Sequence, residues 1–170
     1  ERALSVKANS YSESVGMFNN DAAIGYTLDK HSIQFSSGRN FFYGWNPNTS
    51  TFSYLKSPVA DSTRSKQWKQ REQYLNNIQY AYTSDVFKFR YTGDLFNEKV
   101  TNKGLPRAPY HETAFDDYYR TQRITNSIFL SVPFRNKASI DLTSSHALYT
   151  RYKNTYNKDL TTLQETLVSD

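Results

Sequence analysis

His31, His111 and His146 are the first residues to weigh for chemistry, and their separation along the chain offers none of the His-x-x-x-His spacing that would set two imidazoles on one metal. Each is expected to be a solvated surface side chain, His31 at a turn and His111 in a loop where a ligand could reach it. Cys is 0, which leaves no thiol nucleophile, thiolate metal site or disulfide framework. Neither a Gly-x-Ser-x-Gly elbow nor a phosphate-binding loop occurs in the sequence. Glu98, Glu112 and the Asp116-Asp117 pair have the chemistry of a proton-transfer couple or a Ca²⁺ site, but loop solvation accounts for them as well and more simply. Asn48-Thr49-Ser50 matches the glycosylation pattern, and chance is the simpler account of so short a match. The expectation is a protein that is not an enzyme and carries no cofactor.

Charge and composition narrow the class. The net charge is +5, and its densest run is Arg64-Ser65-Lys66-Gln67-Trp68-Lys69-Gln70-Arg71. Basic residues around an aromatic could grip nucleic acid or the phosphates of an anionic membrane surface, but a loop with its charges in water is the expected state, and no nucleic-acid partner is inferred. The aromatic share is 16%, with Tyr 14 and Phe 11 against Met 1, which favours the pleated surface of strands. The mean hydropathy of -0.77 and the lack of any long apolar run exclude a membrane-spanning helix. A transmembrane β-barrel stays open, because only alternate residues of a barrel strand face lipid.

The elements follow from period-two patterning. In Val86 to Phe96, Phe87, Phe89, Tyr91 and Leu95 share one face while Lys88, Arg90, Thr92 and Asp94 share the other. Tyr74 to Tyr82 alternates in the same way, and Thr83-Ser84-Asp85 joins the two as a hairpin. A second pair runs from Asp21 to Leu28 and, through Asp29-Lys30, from His31 to Ser37. A third runs from Tyr118 to Phe134 and, through Arg135-Asn136-Lys137, from Ala138 to Tyr152. The hairpins occupy about residues 4–37, 73–97 and 118–152, and long polar loops occupy about 39–72 and 98–117. Tight turns alternating with long loops are uncommon in compact soluble domains and are usual in outer-membrane barrels, whose periplasmic turns are short and extracellular loops long. The aromatics lie at two levels, Tyr82, Phe87 and Phe134 near the tight turns and Tyr118, Tyr119, Tyr149 and Tyr152 towards the long loops, as in the two girdles of such barrels. The predicted fold is all-β, an antiparallel up-and-down meander of about six strands forming part of a transmembrane β-barrel.

Several segments add a family resemblance. Gly38-Arg39-Asn40-Phe41-Phe42-Tyr43-Gly44-Trp45, the stretch Tyr91 to Pro106 ending in Gly104-Leu105-Pro106, Asp117 to Arg123, and Leu148 to Tyr156 resemble, in this order, barrel segments of TonB-dependent outer-membrane receptors of the Bacteroidetes type. The resemblance implies a plugged barrel of the 22-stranded class. It also implies a location in the bacterial outer membrane and uptake of a scarce ligand, such as an iron chelate, cobalamin or a glycan, driven by energy delivered through TonB. The plug domain and the TonB-contacting motif cannot be placed in these residues. The implied partners are the TonB system and the plug through other parts of the protein, the outer-membrane lipid, and a small-molecule or glycan ligand. Candidate ligand contacts are the loop aromatics and cations Tyr43, Trp45, Tyr54, Trp68, Arg107, Tyr110 and His111, because aromatic faces stack on sugars and chelate rings and guanidinium groups bind carboxylates or phosphates. Lys88, Arg90, Arg123 and Asp141 are expected to face a wet interior.

One rival uses the same residues differently. A soluble β-sandwich binding a ligand or carbohydrate would need Greek-key crossings over a second sheet, whereas a barrel wall pairs each strand with its sequence neighbours. The map of strand neighbours separates them.

Overall fold

The computed structural model describes residues 2–46, 64, 66–134 and 138–169. These form one antiparallel sheet of eight strands: β1 (Arg2–Glu13), β2 (Met17–Leu28), β3 (His31–Phe42), β4 (Gln70–Thr83), β5 (Lys88–Lys103), β6 (Thr113–Pro133), β7 (Ser139–Asp159) and β8 (Glu165–Ser169). Their order in the sheet is their order in the chain, an up-and-down meander that does not close on itself. No crossing occurs among the described strands, so the Greek-key sandwich is not their arrangement.

The count is eight where about six were expected, and the differences have a physical cause. β1 falls within the first predicted hairpin region, 4–37, but carries no separate strand prediction, because its alternation is confined to Leu4, Val6 and Ala8 and then dissolves into Asn9, Ser10 and Ser12. β6 and β7 are 21 residues each and run about 70 Å, well past the 9–11 residues that a membrane crossing needs. Their outer halves have polar or aromatic residues on both faces, so no period-two signal marks them. The predicted loops therefore shrink to 43–69 and 104–112. Past the predicted end of the third hairpin at residue 152, the chain completes β7, turns and forms β8, which pairs Lys158 with Glu165. The tight turns at 29–30 and 84–87 stand where expected, whereas Arg135-Asn136-Lys137 of the third lie outside the described residues.

Register turns eight patterns into two surfaces. Directly opposed residues share a face, and the ladders connect Val6, Ile24, Phe35 and Ile78 across β1 to β4 in one row. The neighbouring row connects Leu4, Tyr26, Ile33, Tyr80, Tyr91 and Ile128. On the same face lie Leu28, Phe89, Leu95, Leu130, Leu142 and Leu148, and most of these side chains are exposed, Val6 to 69% and Leu142 to 60%. The polar residues that interrupt this surface partner one another: Ser37 donates to Asn76 at 2.8 Å and Tyr91 to Asn126 at 2.7 Å. The opposite face carries Ser5, Gln34, Gln79, Thr92 and Ser127 in one row and Lys7, Asn77, Asp94 and Thr125 in the next. Lys88, Arg90, Arg123 and Asp141 fall on this polar face.

The buried core sits at the long-loop end, where Phe42, Ala114 and Leu160 are buried among the described residues. Gly44 (φ 79°) makes this end possible: a Cβ there would lie 2.5 Å from the Trp68 carbonyl oxygen. Substituting Gly44 by alanine combines left-handed strain with that clash, and is expected to cost about 1–3 kcal/mol locally. Hydrogen exchange is expected to show faster exchange at the Trp45 and Trp68 amides, with the Ile78 amide unchanged.

Candidate functional site

The long-loop end is knitted together by contacts between segments remote in sequence. The backbone N–H of Tyr43 donates to the Gly16 carbonyl at 3.0 Å, tying the 14–16 turn to loop 43–69. Trp45 and Trp68 close that loop as an antiparallel bridge, exchanging N–H···O bonds of 3.0 and 2.9 Å. Their indoles meet edge to face at 5.4 Å, and Trp68 also packs near Phe42. Further along, the N–H of Leu160 donates to the Glu112 carbonyl at 2.7 Å and joins the last outer turn to loop 104–112. At that turn, far beyond the apolar surface, the backbone N–H groups of Thr162 and Thr161 donate to the Asp159 carboxylate and hold its pKa below the ordinary range.

The centre of this end is Arg64. Its guanidinium donates two parallel hydrogen bonds to the Asp116 carboxylate, one of them 3.0 Å long, and a further one to the Gly104 carbonyl at 3.1 Å. Both side chains are 2% exposed. Gly104 completes the arrangement by donating its N–H to the Phe115 carbonyl at 2.9 Å, and a Cβ at Gly104 would overlap that same oxygen. One arginine thus fastens loop 43–69 to the ends of β5 and β6. This corrects the expectation that Arg64 is part of a solvated basic loop. It also separates the Asp116-Asp117 pair, because consecutive strand residues point to opposite faces. Asp116 meets Arg64, while Asp117 accepts from the Thr155 hydroxyl at 2.8 Å and pairs with Lys153 at 3.1 Å on the other face.

The predicted ligand contacts fall into two groups. Tyr43, Trp45 and Trp68 gather in the first, where Tyr43 stands edge-on to Phe41 at 4.5 Å and to Phe18 at 5.8 Å. All three remain open to solvent, Tyr43 to 53% and Trp68 to 57%. Arg107, Tyr110 and His111 form the second, in loop 104–112. The Arg107 guanidinium lies 4.5 Å from the Phe115 ring centre, and the His111 N–H donates to the Arg107 carbonyl at 2.9 Å. His111 adopts φ 58°, its ring nitrogen 3.3 Å from the Pro106 carbonyl, and Tyr110 is 64% exposed. Tyr54 lies outside the described residues. Arg64 and Asp116 were missed because a basic run and an acidic pair each read as solvated. The available signal was Gly104-Leu105-Pro106, which marks the strand end that Arg64 grips.

The larger cavities of the sheet open on the polar face. One of about 750 Å³ is lined by Asp21, Asn40, Asn77, Asp94 and Arg123 among others, and one of about 480 Å³ lies beside Phe42, Trp68 and Arg71. Among the described residues no group of His, Asp or Glu side chains is placed to hold a metal ion. The chain matches no family model, no curated protein and no solved structure.

Replacing Arg64 by alanine strands a buried carboxylate, and is expected to destabilise this end by about 3–5 kcal/mol. The paired exchange of Arg64→Met with Asp116→Leu removes both charges and is expected to recover most of the loss. Hydrogen exchange at the Gly104 amide reads both outcomes.

Proposed function

We propose that this chain is barrel wall and outer loop of an outer-membrane active transporter that draws TonB-delivered energy to import a scarce ligand. The observation that carries the reading is the one-sided apolar surface. A soluble protein rarely leaves a contiguous apolar patch of this extent in water, and a surface that alternates residue by residue with a polar one is what a lipid-facing barrel strand requires. On β6 the apolar positions run from Ile124 to Val132, about 27 Å along the strand. A barrel tilt of about 40° lowers this to about 20 Å, and the flanking aromatics bring it near the roughly 25 Å apolar band of outer-membrane barrels.

The other features agree with this placement. Among the described residues the outer edge of β1, and that of β7 short of its pairing with β8, have no strand partner, and a barrel wall in lipid would need further strands there, since it tolerates no open edge. In a barrel of the 22-stranded class about fourteen more would complete the wall. The polar face, with its larger cavities, would look into a plugged lumen. The long-loop end would stand outside the cell, holding Trp45, Trp68, Arg107 and Tyr110 open for a ligand with rings and anionic groups. The resemblance of the strand-end segments to TonB-dependent receptors adds the energy source.

Two outcomes test this. Ile78→Lys places a charge in the middle of the lipid face and is expected to destabilise the protein in vesicles by about 2–4 kcal/mol. Gln79→Lys, on the wet face, is expected to change little. In cells, accumulation of iron chelates, cobalamin or glycans that depends on this chain is expected to stop when TonB is removed; accumulation that continues without TonB contradicts active transport.

A further inference from the structure

Just beyond the apolar rows, the same outward face becomes basic. Lys99 of β5 and Arg120 of β6 stand directly opposite each other, and Glu72 and Tyr152 flank them in the same row. Both cations are exposed. Like charges facing across a ladder destabilise it, so this pair is held at a cost unless an anion lies between the two. Lys99 stands opposite Glu72 and lies 5.0 Å from the Tyr118 ring centre, and Glu98 also lines the site, but both carboxylates have other partners: Arg39 donates to Glu72 through two nitrogens at 2.9 and 2.6 Å and the Tyr74 hydroxyl at 2.8 Å, and the Gln73 amide donates to Glu98 at 2.6 Å. A cavity of about 340 Å³ opens at this point, lined by Lys99, Arg120, Tyr74, Tyr152 and Gln122 among others. Further out the face stays basic, with Lys66, Lys69 and Lys103 around a small cleft.

We infer that Lys99 and Arg120, with Tyr74 and Tyr152 beside them, bind the phosphate of an anionic lipid in the outer leaflet. The inference rests on the barrel reading, which turns this face towards lipid. Depth selects the ligand. Lys99 and Arg120 lie four residues beyond Leu95 and Ile124, about 13 Å along the strands and about 10 Å in height after tilting. Phosphates sit at that level, and the flexible stems of Lys and Arg extend their charges to it. The two cations can neutralise one phosphate together, while the tyrosine rings offer apolar faces to a neighbouring sugar or acyl stem. A soluble ligand entering through the lumen would meet the other face.

The test uses the complete barrel that carries this chain, inserted in phosphatidylcholine vesicles with or without lipid A, then extracted in mild detergent and weighed with its retained lipids by native mass spectrometry. Wild type is expected to retain lipid A over phosphatidylcholine. Lys99→Gln combined with Arg120→Gln is expected to weaken retention about tenfold or more. The exchanges Lys99→Arg and Arg120→Lys keep the charge and are expected to keep the lipid. Arg123→Gln combined with Arg151→Gln, on the polar face, is expected to retain it as well. Equal retention by wild type and the Lys99/Arg120 variant overturns the site, as does equal loss from the polar-face variant. Displacement by inorganic phosphate at matched phosphate concentration overturns the lipid assignment in favour of a free-anion site. Failure of wild type to insert into vesicles contradicts the barrel reading and removes this site with it; insertion without selective retention contradicts the site alone.

Discussion

The unbroken antiparallel register from β1 to β7 is the constraint on which the other features depend. Each residue opposes a partner on the same face, so a slip of one residue at any ladder would turn Ile33, Tyr80 or Ile128 towards the polar side. Consecutive pairing also satisfies backbone donors and acceptors strand by strand, which a strand in lipid must do without water. The polar face, the apolar face and the level of the outer basic row are all consequences of that one alignment.

A second interaction acts where the register alone is too weak. Beyond the apolar rows, β5, β6 and β7 continue with polar or aromatic residues on both faces, and here burial comes from the loops. Arg64 supplies the strongest of these contacts, because a planar guanidinium meets both carboxylate oxygens of Asp116 and still has a donor left for the Gly104 carbonyl. The Trp45–Trp68 bridge and the Glu112–Leu160 hydrogen bond extend the same principle to the neighbouring loops. Exposed aromatics are thereby carried on anchored backbone, which lowers the ordering cost of any ligand they meet.

Much of this was legible in the sequence, and the reasons are specific. Phe87, Phe89 and Tyr91 alternate with Lys88 and Arg90 because one face of the sheet is apolar and the other polar, and that contrast located the hairpins, their tight turns and the all-β meander. The signal ended where the contrast ended: around Tyr118-Tyr119 and Tyr152-Lys153 both faces carry polar or aromatic residues, so β6 and β7 looked shorter than they are. β8 is five residues long and had no pattern to show. Tyr43 and Trp45 are near neighbours in sequence around Gly44, whereas Trp68 joins them only because the chain closes on itself across loop 43–69. The Arg64–Asp116 pair, by contrast, joins residues 52 positions apart, and no local pattern encodes such a partnership. The pairing of Lys99 with Arg120 also emerges only from register, since each alone reads as an ordinary surface charge.

Because the chain has no cysteine of its own, single cysteines can carry a spin label to each position of β4 from Tyr74 to Tyr82 in lipid vesicles. The account predicts alternation: labels at 76, 78 and 80 collide with oxygen dissolved in the bilayer, labels at 77, 79 and 81 collide with a water-soluble paramagnetic reagent, and lipid exposure is greatest at 78. Equal access of the water-soluble reagent to both sets would contradict a lipid-facing wall.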